Sequence, residues 1–406
     1  MGRRDNDGQN DKSGSPALQH LNTNSGGAAL LSLAMASASL SLAQPASAQT
    51  ANDGALSGAT VLQQMAPGWN LGNSLEAIGR GTAPEAASQE TLWGNPATTQ
   101  ALMDAVKAAG FKSVRIPVAW SQYADSDGTI SPAWLARVGE VIDYARKDGL
   151  YVVVNVHWDG GWVQPTKAQQ AAVDAKLTRF WTQIATRFKD DDDHLLFAGT
   201  NEIAVTGQYG APTAENCAVQ NGFNQTFVNA VRATGGNNAT RFLVVQGYNT
   251  NIDYTVACNA RLPADTTSGK LMMEVHYYDP YDFTLNTKNK IWQWGAKATD
   301  ASATQTWANE AYADGQFRKM KQAFVDKGVP VILGEYAASL RSEYDPTGKY
   351  RTYWDAYITH AAYSHGIVPM YWDSGTTSNH GSGMFDRGQA KEAFPDTIAA
   401  IVSAAK

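Results

Sequence analysis

Two glutamates close short apolar runs. Glu202 follows LLFAGTN and Glu335 follows VPVILG. A carboxylate at the end of a buried strand is costly to desolvate unless it is paired or put to use. Asn201 stands directly before the first, and Tyr336 directly after the second. Two carboxyls brought together on neighbouring strand ends suit cleavage of a glycosidic bond, where one moves a proton and the other handles developing positive charge. An exposed loop glutamate or a structural ion pair is the plainer alternative for each.

Other side chains of chemical use sit at comparable places. Arg115 lies inside an apolar run, SVRIPV, where an unpaired guanidinium would be expensive. Asn70, His157 and Trp372 stand in or just past such runs. His276 and Tyr278 lie two residues apart on one of them, so an extended chain turns both to one face. No HExxH or HxH spacing occurs, so no metal site is expected, and no cofactor is implied.

The elements that must position these residues follow from periodicity. Eight strand candidates run in order: 68–71, 112–118, 151–158, 195–202, 241–247, 271–278, 329–336 and 367–373. They are short and rich in Val, Ile and Leu, as strands buried on both faces should be. Helical patterns separate them. TTQALMDAVKAAG stops at Gly110. SPAWLARVGEVIDYARKDG starts with Ser131 as a cap and Pro132 in the first turn, and stops at Gly149. Eightfold strand–helix alternation predicts a single-domain α/β chain, a closed (β/α)8 TIM barrel. A doubly wound open sheet is the second choice, but no glycine-rich phosphate loop follows the first strand. In such a barrel the strand ends share one mouth, which is where these residues would meet.

Composition narrows the partner. The 406 residues carry a net charge of −6, with no basic run after residue 4. That argues against nucleic acid, whose phosphates demand Lys and Arg clusters. Twelve Trp and seventeen Tyr supply flat faces of the kind sugars stack on. A neutral polysaccharide fits better, bound by a monomer.

Residues 1–48 read as a leader. The first 27 are polar, and AALLSLAMASASLSLAQPASAQT then ends its apolar run at Ala46-Ser47-Ala48, a small-x-small cleavage pattern. The run is too short and too rich in Ser and Ala to span a membrane. Residues 49–406 are then the mature barrel of a secreted or periplasmic protein. Cys217 and Cys258, the two cysteines, are expected to pair in an oxidising compartment.

GWNLGNSLEA, WGNP, FKSVRIPVAW, VVNVHWDGGW, TNE, VHYYDPYDF, ILGEYA and MYWD together, in this order and spacing, resemble glycoside hydrolase family 5, the retaining cellulase type. The resemblance covers about residues 60–400. It implies an endo-β-1,4-glucanase with Glu202 as acid/base and Glu335 as nucleophile. It also implies that Arg115, His157, Asn201, His276, Tyr278 and Trp372 are the other residues of a substrate-binding site, with Trp372 stacking beneath a sugar; Asn70, at a strand end, is placed with them as a contact to sugar hydroxyls. A β-glucan would be the substrate; mixed-linkage glucan, xyloglucan, mannan and xylan remain open, as does a non-catalytic sugar-binding barrel. Two positions depart from the family pattern. Ala198 stands where a glutamate is common, and Ile203 where a proline follows the acid, which leaves the support of the Glu202 segment in question.

Overall fold

Alternation of short valine-rich strands with amphipathic helices closes the chain into a ring. The computed structural model describes residues 56–79, 89–208, 210–258 and 261–406; the leader reading lies outside them. The strands are β1 (Gly68–Leu71), β2 (Ser113–Ile116), β3 (Tyr151–Asn155), β4 (Leu195–Ala198), β5 (Leu243–Gln246), β6 (Leu271–His276), β7 (Val331–Glu335) and β8 (Ile367–Asp373). Each pairs in parallel with the next, and β8 pairs with β1, so the barrel is closed. The fold is the expected (β/α)8 barrel. Six of the eight strands are shorter than expected, because the chain leaves the ladder before its apolar run ends.

Each strand is followed by a helix: α1 (Gln100–Ala108), α2 (Pro132–Lys147), α3 (Lys167–Arg187), α4 (Ala214–Arg232), α5 (Ile252–Ala257), α6 (Glu310–Ala323), α7 (Lys349–Ser364) and α8 (Pro395–Ala404). Thr99 caps α1 by accepting from the Leu102 N–H. Thr213 and Asn216 cap α4 reciprocally. Ser131 precedes α2 with Pro132 in its first turn, but its side chain makes no cap bond; proline alone, with its preset φ, starts that helix.

Two apolar layers hold the ring. Val153, Leu196, Val244, Met272, Ile332 and Val368 meet in one interior cluster, which Val61 and Met65 of a short preceding helix join. A larger cluster joins the outer strand faces to the helices. Each fully buried Val, Leu or Ile contributes about 1.5–3 kcal/mol of transfer free energy.

Several helices and loops fix the strand ends by a repeated device. Trp134 of α2 donates its indole N–H to Ala119 O at 2.8 Å, just past β2. Trp181 of α3 donates to Gly199 O at 2.9 Å, just past β4. Trp354 of α7 donates to Asp279 O at 3.2 Å, past β6. Trp120, in the loop after β2, donates to Asn155 O at 2.9 Å. All four indoles are fully buried. Each satisfies a carbonyl at or just past a strand end. Cys217 on α4 and Cys258 after α5 form a disulfide, Cα–Cα 5.4 Å, that ties together the helices following β4 and β5.

Trp181→Phe keeps an aromatic ring but strands the Gly199 carbonyl and leaves part of the indole volume empty. A loss of about 2–4 kcal/mol is expected, read as a fall of several degrees in thermal midpoint. An unchanged midpoint would show that the indole bond does not hold that strand end.

Candidate active site

The barrel mouth is organised around a guanidinium in the strand layer itself. Arg115 of β2 has no exposed surface. Its Nη1 donates to Asn70 Oδ1 and to Glu335 Oε1, both at 3.0 Å, and its Nη2 donates to Asn201 Oδ1. Its Nε lies 2.9 Å from Glu274 Oε1. Burial works against the cation, but Glu274, Glu335 and Glu202 outweigh it and hold Arg115 charged, its pKa raised.

Glu335 closes β7 and is nearly buried. Its other oxygen, Oε2, accepts from the Tyr278 hydroxyl at 3.0 Å. Arg115 and Tyr278, as donors, both favour the charged form of this carboxyl. The balance still runs the other way: burial raises the Glu335 pKa, Glu202 and Glu274 add to the rise, and His276 and Arg115 offset only part. Tyr278 is pushed far above its ordinary value by burial and the two glutamates, so it stays a phenol that donates.

Glu202 sits four residues beyond β4, half-buried, with φ +47°. A non-glycine residue there costs on the order of 1–2 kcal/mol. The following segment supports it. Ile203 is buried, its carbonyl accepts from the Asn249 N–H at 2.8 Å, and the Val205 N–H donates to the Tyr248 hydroxyl at 3.0 Å. The chain thus replaces the family's proline with a packed isoleucine. Glu202 Oε1 lies 2.8 Å from His276 Nδ1, which is also 3.7 Å from Glu335 Oε2. One oxygen of Glu202, one of Glu335 and a ring nitrogen of His276 all fall within 4.8 Å of one another. These are also atoms a cation could use. They are already engaged with one another and with Arg115 and Tyr278, a donor set that disfavours added positive charge.

His157 lies just past β3, half-buried, with Trp372 of β8 stacked beside it at 5.7 Å and an interplanar angle of 11°. Asn155 accepts from the Val118 N–H through Oδ1, so its amide nitrogen, 3.1 Å from His157 Nδ1, is the donor. The ring hydrogen therefore rides on Nε2. Burial, with Arg115 and His276 near, pushes the His157 pKa well down, so the ring is neutral. Trp372 is half-buried.

Asn70 corrects an expectation. It was placed among substrate-binding residues, but it is fully buried. Its amide nitrogen donates to Gly334 O, Met370 O and Tyr371 O at 2.8–3.2 Å, and its oxygen takes Arg115. It braces β1, β7 and β8 beneath the mouth. Arg115 likewise touches Glu335 and Asn201 from below. Asn95 straps loops through Asn73 O and Ser374 O. Of the other tryptophans, Trp69, Trp120 and Trp294 are core, Trp162 and Trp292 are half-buried, and Trp93 is exposed.

Four polar residues escaped the sequence reading: Asn155, Asp159, Gln246 and Glu274. Asp159 accepts from the Trp120 and Ser121 N–H groups and the Trp162 indole, and burial raises its pKa to about 6. Glu274 is wholly buried on β6. Ala198 brings no carboxylate to the interior; Glu274 does so from across the ring. The signal was present, since LMMEVH carries a lone charge in an apolar strand, as SVRI does.

A family model for cellulases of glycosyl hydrolase family 5 matches residues 75–378. Endoglucanase A of Paenibacillus barcinonensis is 40% identical over 358 residues, covering 84% of this chain and 88% of that protein. A solved Bacteroides ovatus GH5 xyloglucanase in complex with a XXXG heptasaccharide is 40% identical with a TM-score of 0.81, over 86% of this chain and 77% of that one. A GH5-4 broad specificity endoglucanase from Bacteroides salanitronis is 41% identical with a TM-score of 0.78, over 84% and 93%. The chain belongs to glycosyl hydrolase family 5, and it is a glycoside hydrolase with endo-β-glucanase activity.

Proposed function

We propose that the chain is a retaining endo-β-1,4-glucanase in which Glu335 is the nucleophile and Glu202 the acid/base. The observation that carries this is the closeness of the two carboxyls, with one oxygen of each within 4.8 Å of the other. Retaining glycosidases hold their carboxyls about 5–5.5 Å apart; inverting ones need about 6.5–9.5 Å to admit a water.

Glu335 attacks the anomeric carbon while Glu202 gives its proton to the departing oxygen, so the C–O bond breaks and a glycosyl ester forms. Glu202, now ionised, takes a proton from water, and the hydroxide displaces Glu335 and restores both groups. Arg115 and Tyr278 aim the attacking oxygens. Asn201, its oxygen fixed by Arg115, presents its amide nitrogen to the sugar 2-hydroxyl. His157 donates from Nε2 to a second hydroxyl, and Trp372 offers a ring face to the pyranose.

The backbone proposed is β-1,4-glucan. Xyloglucan is the second reading, because the B. ovatus relative is a xyloglucanase. Secretion as a monomer is part of the proposal. The Cys217–Cys258 disulfide supports export, since such bonds persist in oxidising compartments. Among the described residues no helix is long and apolar enough to cross a membrane.

Glu202→Ala and Glu335→Gln are expected to fold and to lose at least about 10³-fold in kcat on carboxymethylcellulose. Near-normal turnover in either removes the assignment. Initial rates on carboxymethylcellulose, barley β-glucan, xyloglucan, mannan and xylan decide the substrate; a preference for mannan or xylan would overturn the glucan reading. Tyr278→Phe removes a donor to ionised Glu335 and so raises its pKa further. The acid limb of kcat/KM against pH, where activity is lost as Glu335 takes up a proton, should move to higher pH. A limb that stays in place would mean Tyr278 does not tune that carboxyl.

A further inference from the structure

Glu274 is a buried carboxylate that the chemistry above does not use. On β6 it stands between Met273 and Val275 with no exposed surface. Oε1 lies 2.9 Å from Arg115 Nε and 3.1 Å from His276 Nε2, and Oε2 accepts from Gln246 Nε2 at 2.7 Å. Gln246 is fixed in turn, its Oε1 taking the Thr200 hydroxyl at 3.2 Å, two residues before Glu202. Gly334 on β7 makes the space: a Cβ there would come 2.0 Å from Glu274 Oε1.

A carboxylate can only accept hydrogen bonds. Burial works against the charge, but Arg115, the His276 ring and the Gln246 amide together outweigh it and hold the Glu274 pKa below the usual range. His276 Nε2 must therefore carry a hydrogen. The other ring nitrogen faces Glu202 Oε1 at 2.8 Å, and a single proton between Nδ1 and Oε1 can belong to either. If it sits on Oε1, the acid's proton points at the ring. If it sits on Nδ1, Oε1 is an acceptor, and a second proton, taken up from solvent, sits on Oε2 for the leaving group.

We propose that Glu274 is a positioning residue of the acid/base: by holding His276 doubly protonated, it makes Nδ1–H a donor to Glu202 Oε1 and places the transferable proton on Oε2. This rests on the assignment of Glu202 as the acid.

Charge balance supports it. The groups facing His276 are Glu274 on its own strand, Glu335 on β7, Glu202 after β4, Arg115 on β2, neutral His157 after β3, and the phenol of Tyr278. With Arg115 and His276 cationic, the three carboxyls leave the cluster neutral when one of them is protonated. That is the resting state with Glu202 as acid. It is neutral again in the covalent intermediate, where Glu335 is an ester and Glu202 is ionised. Without the Glu274 charge both states would be positive, and the Nδ1 proton is the one the cluster would shed. Glu335, Glu202 and Glu274 together raise the His276 pKa to about 9 against the effect of burial.

The test is Glu274→Gln in the full chain, assayed beside wild type and Glu335→Gln on aryl β-cellobiosides. With a poor leaving group such as phenol, kcat/KM should fall about 100-fold, in line with the value of a positioned general acid. With 2,4-dinitrophenolate, which departs without a proton, the loss should stay under about 5-fold. The basic limb of the phenyl profile should move to lower pH. Equal losses with both leaving groups, or no loss, overturn the proposal. If wild type is active and Glu335→Gln is not, such a result leaves the glucanase reading standing; an inactive wild type would fail that reading instead. Should the variant not fold, 15N NMR of wild-type His276 at pH 7 decides: two protonated ring nitrogens support the proposal, and a neutral ring overturns it.

Discussion

A guanidinium buried inside the strand ring is the constraint the mouth is built to satisfy. An isolated charge in such an interior would cost several kcal/mol, and removing one partner of a buried pair is typically worth 3–5 kcal/mol. Arg115 meets that cost with two carboxylates and two amides drawn from different parts of the ring. Glu335 comes from β7, Glu274 from β6, Asn70 from β1 and Asn201 from beyond β4. One cation thereby fixes the mutual positions of four segments. The same contacts that make the arginine tolerable set the geometry of the carboxyl pair.

The two glutamates are held unequally. Glu335 is part of a strand, nearly buried, and both its oxygens are engaged by donors. Glu202 stands beyond the ladder in a left-handed backbone conformation, half-buried, braced from behind by Ile203 and the Tyr248 region. A group that must attack one carbon along one line gains from rigidity. A group that delivers a proton and later activates a water needs an oxygen open to the cleft. The difference in support matches the division of labour proposed for them.

Much of this was legible in the chain. All eight strands and their order follow from valine-rich runs between helical patterns. The polar residues at their ends met at one mouth, because parallel strands in a closed ring share a direction. Boundaries ran two to four residues long where TNE, HW and YY continue past the ladder in extended form, which periodicity cannot tell from a strand. Asn70 was misjudged for a geometric reason: its strand register turns it inward under β7 and β8, and a linear sequence does not say how deep in a barrel a strand end lies.

Glu274 shows the limit more sharply. Arg115 was read as needing a carboxylate because it is a lone charge in an apolar strand, and the same logic applies to Glu274, two residues before His276. The two lone charges are 159 positions apart in sequence, and only the staggered register of the ring brings β2 and β6 across from one another at that depth. Ala198 would weaken the site only if β4 alone could supply a supporting carboxylate. In a closed barrel an interior group can be approached from any strand, so a missing charge on one is no deficit when another supplies it to the same cation. Burial of Arg115 demands that some strand do so, and Gly334, without a side chain, leaves room for the strand that does.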